Sequence, residues 1–261
     1  MSLIPKSVKL SSWPALAVAA IGRKVRKLTG LRLFKRVPVS FGDAKMYLTP
    51  DAGDGLTFWA EIFDMNPYST LFAKSQGADL LIDCGGNTGA VTCSVLCRNK
   101  TIKSLTFEPN PPTFERLTNN CALNGLQDRA KLMHCAVGSA PGSVTIEVDP
   151  HNSMAVVQGS AYATKGNGVK HEIPITTIDA AMAELGWSPA RIVMKVDIEG
   201  FEIEALKGAT GTLRKVTHFV AECHSDSLLA GCREILEAAG FTCEAKTFPI
   251  GYPILYGDKT V

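Results

Sequence analysis

The sequence predicts an α/β fold built on a doubly wound, mostly parallel sheet, and three observations carry that expectation. Apolar runs of strand length alternate with stretches of helical character along most of the 261 residues. One run, Leu80-Leu81-Ile82, ends in Asp83 and the glycine-rich turn Cys84-Gly85-Gly86-Asn87-Thr88-Gly89. A second, Ser104-Leu105-Thr106-Phe107, ends in Glu108, so two parallel strands would bring a small-residue turn and an acid to one sheet edge.

The chain opens on a basic arm. Residues 1–42 hold nine Lys or Arg and no acid, whereas the remainder carries 18 basic and 25 acidic residues, within an overall net charge of +2. The arm reads as a helical N-terminal extension to a main domain at 43–261. Its apolar segment, 13–21, falls far short of the roughly 20 residues that a membrane span requires, and it lacks a secretory cleavage context. The leading expectation is a helix packed on the domain with its basic face in water; peripheral contact with an anionic membrane is left open.

The next segment, 41–49, reads as a strand or extended stretch, 51–55 as a turn, and 58–74 as one or two helices covering the sheet. Strand 79–84, helix 89–99, strand 103–108, helix 112–124 and strand 131–136 then follow by apolar pattern and flanking turn residues. A break comes at 143–149, which alternates at period two; 150–168 is rich in Gly, Ser and Asn, and 169–175 is again extended. The pattern predicts an inserted β-hairpin with a long loop. Within that loop His151, Asn152 and Ser153 are candidate substrate contacts, against the plainer reading of a surface loop. The rhythm resumes with helix 177–185, strand 191–196, helix 201–213, strand 217–221, helix 227–239 and closing strands near 241–247 and 252–255.

The glycine-rich turn and Glu108 together predict a nucleoside ligand. Glycines let the backbone bend sharply and let a ligand approach without a Cβ in the way, and the helix starting near Gly89 presents unpaired N–H groups. A carboxylate such as Glu108 accepts from two neighbouring ribose hydroxyls. The turn reads G-G-x-x-G instead of the dinucleotide G-x-G-x-x-G, and Asp83 before it disfavours a pyrophosphate. That acid suits a cationic ligand such as S-adenosylmethionine. NAD, and with it an oxidoreductase, stays open at this point, as does a non-catalytic cofactor-binding adaptor at a membrane surface.

The strings Ile82-Asp83-Cys84-Gly85-Gly86-Asn87-Thr88-Gly89, Phe107-Glu108-Pro109-Asn110-Pro111, Asn120 with Asn124, Ala136-Val137-Gly138, Thr177-Ile178-Asp179 and Met194-Lys195-Val196-Asp197-Ile198-Glu199-Gly200-Phe201-Glu202 occur in that order. The ordered set, spanning about half the chain, resembles FkbM-type methyltransferases. The resemblance implies a Rossmann-like class I methyltransferase sheet of seven strands with the last antiparallel, S-adenosylmethionine as cofactor, and O-methylation of a sugar or polyketide-like hydroxyl. It further implies that Gly85, Gly86, Asn87 and Gly89 surround the methionine part of the donor and that Glu108 holds the ribose. Asn110, Cys135 and Ala136 would border the adenine, and Asp83 would act through the ammonium. Where such proteins commonly carry alanine in the turn, this chain has Gly86, with Cys84 beside it.

Methyl transfer to a hydroxyl needs aligned partners, excluded water and a group to take the proton. Asp197, at the end of the fourth parallel strand, is the first candidate for a base or orienting group; Glu199 and His224 follow, and Lys195 could neutralise a nearby acid. Asp197, Glu199 and Glu222 could also furnish oxygen ligands to Mg²⁺, a reading held below the metal-free one. Glu199 could equally cap the helix near Phe201, and Glu202 and Glu204 in its first turn favour the helix dipole. Asn110-Pro111-Pro112-Thr113 lacks the aromatic residue of base-methylating enzymes, and the acidic balance of the domain gives no reason to expect nucleic acid. A small-molecule or glycan acceptor is the expected partner.

Composition, at 46% hydrophobic and 20% charged, is that of one soluble globular domain. The eight cysteines form no C-x-x-C pair and sit within apolar patterns, so they read as reduced, buried side chains and suggest a cytoplasmic setting.

Overall fold

The computed structural model describes residues 9–31, 36–48, 67–148, 155–157, 169–248 and 252–260. Among them the chain runs through α1 (Trp13–Thr29), β1 (Val37–Phe41), β2 (Ala44–Leu48), α2 (Ser69–Lys74), β3 (Leu80–Cys84), α3 (Ala90–Arg98), β4 (Lys103–Phe107), α4 (Pro111–Leu123) and β5 (Ala130–Met133). It continues through β6 (Ala136–Val137), β7 (Gly142–Val148), β8 (Ala155–Val157), β9 (Val169–Thr176), α5 (Ile178–Leu185), β10 (Ile192–Val196), α6 (Glu202–Lys207), β11 (Val216–Glu222), α7 (Asp226–Ala238), β12 (Thr242–Thr247) and β13 (Pro253–Asp258).

Seven of these strands form one sheet in the order β12-β13-β11-β10-β3-β4-β5. β13 is antiparallel to both neighbours, while β11, β10, β3, β4 and β5 pair in parallel. The expected seven-stranded α/β sheet with an antiparallel last strand is what the molecule has. From β3 the chain winds outward through β4 and β5, then returns to β3's other side with β10 and β11. That reversal opens a crevice at the carboxyl ends of β3 and β10, where open α/β sheets bind ligands.

Both faces of the sheet are covered, which is why β3 and β10 are buried along their whole lengths. On one face Val91, Val95 and Leu96 of α3 pack with Leu71 and Phe72 of α2 and with Val39, Phe41 and Met46 of the β1–β2 hairpin. On the other, Ile178 and Ala181 of α5 join Leu206 of α6 and Cys232 and Leu236 of α7. All eight cysteines are free, seven of them buried. No described helix is long and apolar enough to cross a membrane.

The inserted hairpin is present: β7 and β9 pair antiparallel from Gly142↔Ile175 to Val148↔Val169, extended by β6 and β8 into a four-stranded sheet. His151, Asn152 and Ser153 lie outside the described residues.

Two local differences from the sequence expectation have physical causes. The strand or extended stretch expected at 41–49 holds β2, but it is the second half of a hairpin whose unexpected first strand carries Pro38, a residue that argues against a strand unless it lies at an edge. The helix expected over 201–213 stops at Lys207. A Cβ on Gly208 would lie 2.1 Å from the Gly138 carbonyl oxygen, and the Asp179 carboxylate takes the amides of Gly211 (2.8 Å) and Thr212 (2.7 Å), restarting the chain as a 3₁₀ turn. Of the expected helical cover over 58–74, the described part is a turn at 67–68 followed by α2, and 58–66 lie outside the described residues.

Candidate active site

β3 ends at Cys84 and the chain turns away over the end of β4. The amides of Gly85 and Gly86 both donate to the Phe107 carbonyl, at 3.0 and 2.8 Å. Gly85 has φ +81°, and a Cβ there would stand 1.8 Å from the carbonyl oxygen of Asp197. Gly86 faces β4 so closely that a Cβ would meet Thr106 Cγ2 at 2.4 Å. The glycines are thus required by the protein's own close packing at this turn. Gly89 closes the turn through its amide to the Gly86 carbonyl (2.8 Å) and stands at the N-cap of α3.

Glu108, at the end of β4, locks onto this turn. Its Oε2 accepts the Asn87 amide at 2.8 Å and its Oε1 the Asn110 amide at 2.9 Å. Burial pushes the carboxyl up to about 7, with the Asn110 and Asn87 amides pulling against it. Asn110 is buried just before α4. The Glu108 amide donates to the Met133 carbonyl at the end of β5 (3.1 Å), so Cys135 and Ala136 follow at the same edge, Cys135 buried and Ala136 half-buried. Burial raises the Cys135 thiol to about 11. Thr88, inside the turn, has a buried hydroxyl with no hydrogen-bond partner among the described residues.

The register between β3 and β10 puts Asp83 opposite Lys195, and the register with β4 puts it opposite Thr106. Asp83 is wholly buried; Thr92 Oγ1 donates to its Oδ2 at 2.7 Å and Lys195 Nζ stands 3.4 Å from its Oδ1. Its carboxyl is raised by burial, with Lys195 acting in the opposite direction. Lys195 Nζ also donates to the Gly85 carbonyl at 2.6 Å and lies 3.4 Å from Asp197 Oδ2. Burial alone would lower its pKa, but Asp197 and Asp83 hold it above the ordinary lysine value.

Beyond β10 the chain supplies the rim of the crevice. Asp197 is tied back by its amide to the Cys84 carbonyl (3.1 Å), and its Oδ2 accepts from the Tyr68 hydroxyl at 3.3 Å. Glu199 sits at φ +54°, uncommon for a non-glycine residue, and its Oε2 is 3.3 Å from His224 Nε2. Asp197 Oδ1 lies 3.9 Å from the same nitrogen. His224 Nδ1 is 3.0 Å from Oε1 of Glu202, a fully buried carboxylate that also accepts the Gly200 amide at 3.0 Å. The ring leans on Tyr252 at 4.8 Å.

Burial would lower the His224 pKa, but its bond to Glu202 and the charges of Asp197 and Glu199 carry it up to about 9. Glu222, ending β11, is pushed up to about 8 by burial and then by Asp197. Burial also raises Glu199, with His224 opposing. One donor atom each from Asp197, Glu199 and His224 lies within 4.8 Å of the others. In that trio His224 takes the place that the sequence reading gave Glu222.

All three candidates at the ends of β10 and β11 therefore converge, and the turn residues 85–89 converge with Glu108. Sequence reasoning missed Tyr68, which reaches Asp197 from the start of α2. It also read Glu202 only as a helix-dipole acid; its position within the string ending in Glu202 was the available signal.

A family model described as the methyltransferase FkbM domain matches residues 83–243. The hexuronic acid methyltransferase AglP of Haloferax volcanii is 33% identical over 160 residues, covering 59% of this chain and 60% of that protein. The methyltransferase sdnD of Sordaria araneosa is 26% identical over 175 residues, 58% of this chain and 67% of the other. Among solved structures, an S-adenosylmethionine-dependent methyltransferase from Agrobacterium tumefaciens superposes with a TM-score of 0.51 at 10% identity, covering 88% of this chain and 72% of that one, a likeness of fold.

Proposed function

Because this chain belongs to the FkbM methyltransferase family, we propose that it is an S-adenosylmethionine-dependent O-methyltransferase acting on a hydroxyl of a carbohydrate or secondary-metabolite acceptor. The observation that carries this reading is the junction of two half-sites. Glu108 closes the glycine-rich turn, and Asp197, Glu199 and His224 rim the adjoining strand ends. The carbohydrate class is supported by the hexuronic acid named for AglP, of whose length the match covers 60%. With the family in hand, the nicotinamide reading loses its support.

The residues fit the donor that the family implies. Each Glu108 oxygen spends one lone pair on a backbone amide and keeps another for a ribose hydroxyl. The unpartnered Thr88 hydroxyl lies in the turn itself. Acids outnumber the cations Lys195 and His224 around the crevice, which favours a positively charged ligand. When bound, S-adenosylmethionine supplies a methyl carbon made electrophilic by a sulfonium.

The chain's own residues do the rest. On this reading Glu108 would hold the ribose and Asn110, Cys135 and Ala136 would border the adenine, while Gly85 and Gly86 let the turn pack against Asp197 and Thr106. Asp83, expected from the resemblance to act through the donor's ammonium, is instead wholly buried against Thr92 and Lys195, so it would act through Lys195, which is clamped between the turn carbonyl of Gly85 and Asp197. An alcohol is a weak nucleophile while protonated, so Asp197, with Glu199 beside it, would take the proton of the acceptor hydroxyl. Such a base contributes about 10²–10⁴-fold. His224, held charged by Glu202, orients the two carboxylates.

Incubating the purified chain with labelled donor and a set of uronic acid, neutral sugar and polyketide acceptors, followed by mass spectrometry, tests the reading. An O-methyl product sustains it; binding of NAD but not of S-adenosylhomocysteine, or methylation at nitrogen or carbon, overturns it.

A second reading rests on the 4.8 Å grouping of Asp197, Glu199 and His224. The Glu202 bond to Nδ1 leaves Nε2 facing the two carboxylates, an arrangement that suits a divalent cation orienting the acceptor. We favour the metal-free site because a protonated His224 already supplies a cation to both acids. Full turnover after chelation supports that choice; loss restored by Mg²⁺ or Mn²⁺ supports the metal.

A further inference from the structure

The first helix presents an apolar surface that nothing among the described residues covers. α1 is fastened along one side: Leu16 is buried in the core that includes the β1–β2 hairpin, the Lys9 amide donates to the Ser40 carbonyl at 3.1 Å, and Ser12 Oγ accepts the Ser40 amide at 2.7 Å. The opposite side carries Trp13, Ala17, Ile21 and Leu28, whose spacings of four, four and seven residues place them on one stripe of an α-helix. Trp13 is 51% exposed, Ile21 59% and Leu28 76%, and Leu31 just beyond the helix is 64% exposed. Isolated exposed apolar residues need no explanation, but a stripe of large ones along a single helix does.

Charge selects the occupant. Residues 1–42 contain nine Lys or Arg and no acid, with Arg23, Lys24, Arg26 and Lys27 inside α1 itself and Lys24 exposed, while the remainder of the chain is net acidic. Two copies meeting through this stripe would bring like charges together. A surface that is both anionic and apolar a few ångströms down has no such penalty. The helix is too short and too charged to cross a bilayer, but its axis can lie in the plane of one, with Trp13 at the headgroup level.

We propose that the outer face of α1 docks the protein on an anionic lipid bilayer, with Trp13, Ile21 and Leu28 inserted among the headgroups and the basic residues of the arm pairing with lipid phosphates. The proposal is independent of the methyl-transfer reading. Lys9, Ser12 and Leu16 keep the helix attached to the hairpin while its other side meets lipid, so the catalytic domain would sit against the surface through β1 and β2.

The test uses the full chain and vesicles of phosphatidylcholine alone or with roughly 30% phosphatidylglycerol. Expected are co-sedimentation at least about tenfold stronger on the anionic vesicles, loss of most of that binding in roughly 0.5 M salt, and a blue shift of tryptophan emission on binding. The double variant Ile21→Glu, Leu28→Glu should bind at least about tenfold more weakly while its thermal unfolding midpoint stays unchanged, because both side chains point into solvent. Equal sedimentation on the two vesicle types, or a double variant that sediments like the parent, overturns the proposal. So does a concentration-dependent dimer in analytical ultracentrifugation that the double variant abolishes, with no vesicle binding by either protein.

Discussion

Glu108 Oε2 accepts the Asn87 amide at 2.8 Å, so the acid ending β4 and the glycine-rich turn ending β3 form one piece. The same carboxylate takes the Asn110 amide through its other oxygen. Removing it therefore strips two backbone donors of their acceptor and, on the proposed function, the ribose of its anchor. Glu108→Ala should weaken binding of S-adenosylhomocysteine by about 100-fold, from charge-assisted hydrogen bonds worth about 1.5–3 kcal/mol each. Titration calorimetry measures it, and an affinity within about threefold of the parent would contradict the ribose role.

Gly85→Ala tests the backbone apposition directly. The substitution forces a Cβ onto the Asp197 carbonyl at a positive φ. We expect a loss of about 3 kcal/mol or more, read as a lowered urea midpoint with unchanged slope.

Lys195→Met leaves Asp83 fully buried without its cation. Breaking a buried pair from one side costs about 3–5 kcal/mol, unless the acid takes up a proton. Destabilisation should therefore be largest at neutral pH and smaller in mild acid, where a protonated Asp83 needs no partner. Urea denaturation at two pH values reports the difference.

Asp197→Asn should lower turnover by about 10²–10⁴-fold and leave S-adenosylhomocysteine affinity largely intact. The amide can still accept from Tyr68 but cannot take up a proton. Single-turnover rates together with calorimetry separate the two effects, and equal losses in both would defeat the division of roles between Asp197 and Glu108.

His224 and two acids set the pH response. His224 is raised from 6.5 to about 9, so its stabilising contribution is complete below 6.5 and is lost as pH climbs through 9. Glu108 and Glu222, raised from 4.5 to about 7 and about 8, also bind protons more tightly folded than unfolded, and they push the same way. Stability should fall between about pH 4.5 and 9, measurable as a declining urea midpoint. The rate kcat/KM should fall above about pH 9, and His224→Gln should abolish that limb.

The parts legible in the sequence were those set by local pattern: the apolar strands, the turn and the acids at strand ends. What stayed hidden depended on contacts between distant segments. Tyr68 meets Asp197 across 129 positions, and nothing around Tyr68 distinguishes it from an ordinary aromatic. Glu202 was visible as a first-turn acid, but only the packing of β11's end against α6 turns it into the partner of His224. Asp179 and Asn120 were visible as members of an ordered motif set. The fold gives them structural work: Asp179 holds the turn at Gly211 and Thr212, and Asn120 ties the Thr88 carbonyl to the Tyr47 amide, at 2.7 and 2.8 Å.

That last link has reach beyond its two bonds. A single asparagine fastens the glycine-rich turn to a strand of the hairpin on which the first helix rests. Asn120→Ala would cut both bonds at once and free the Thr88 end of that turn from the edge of β2.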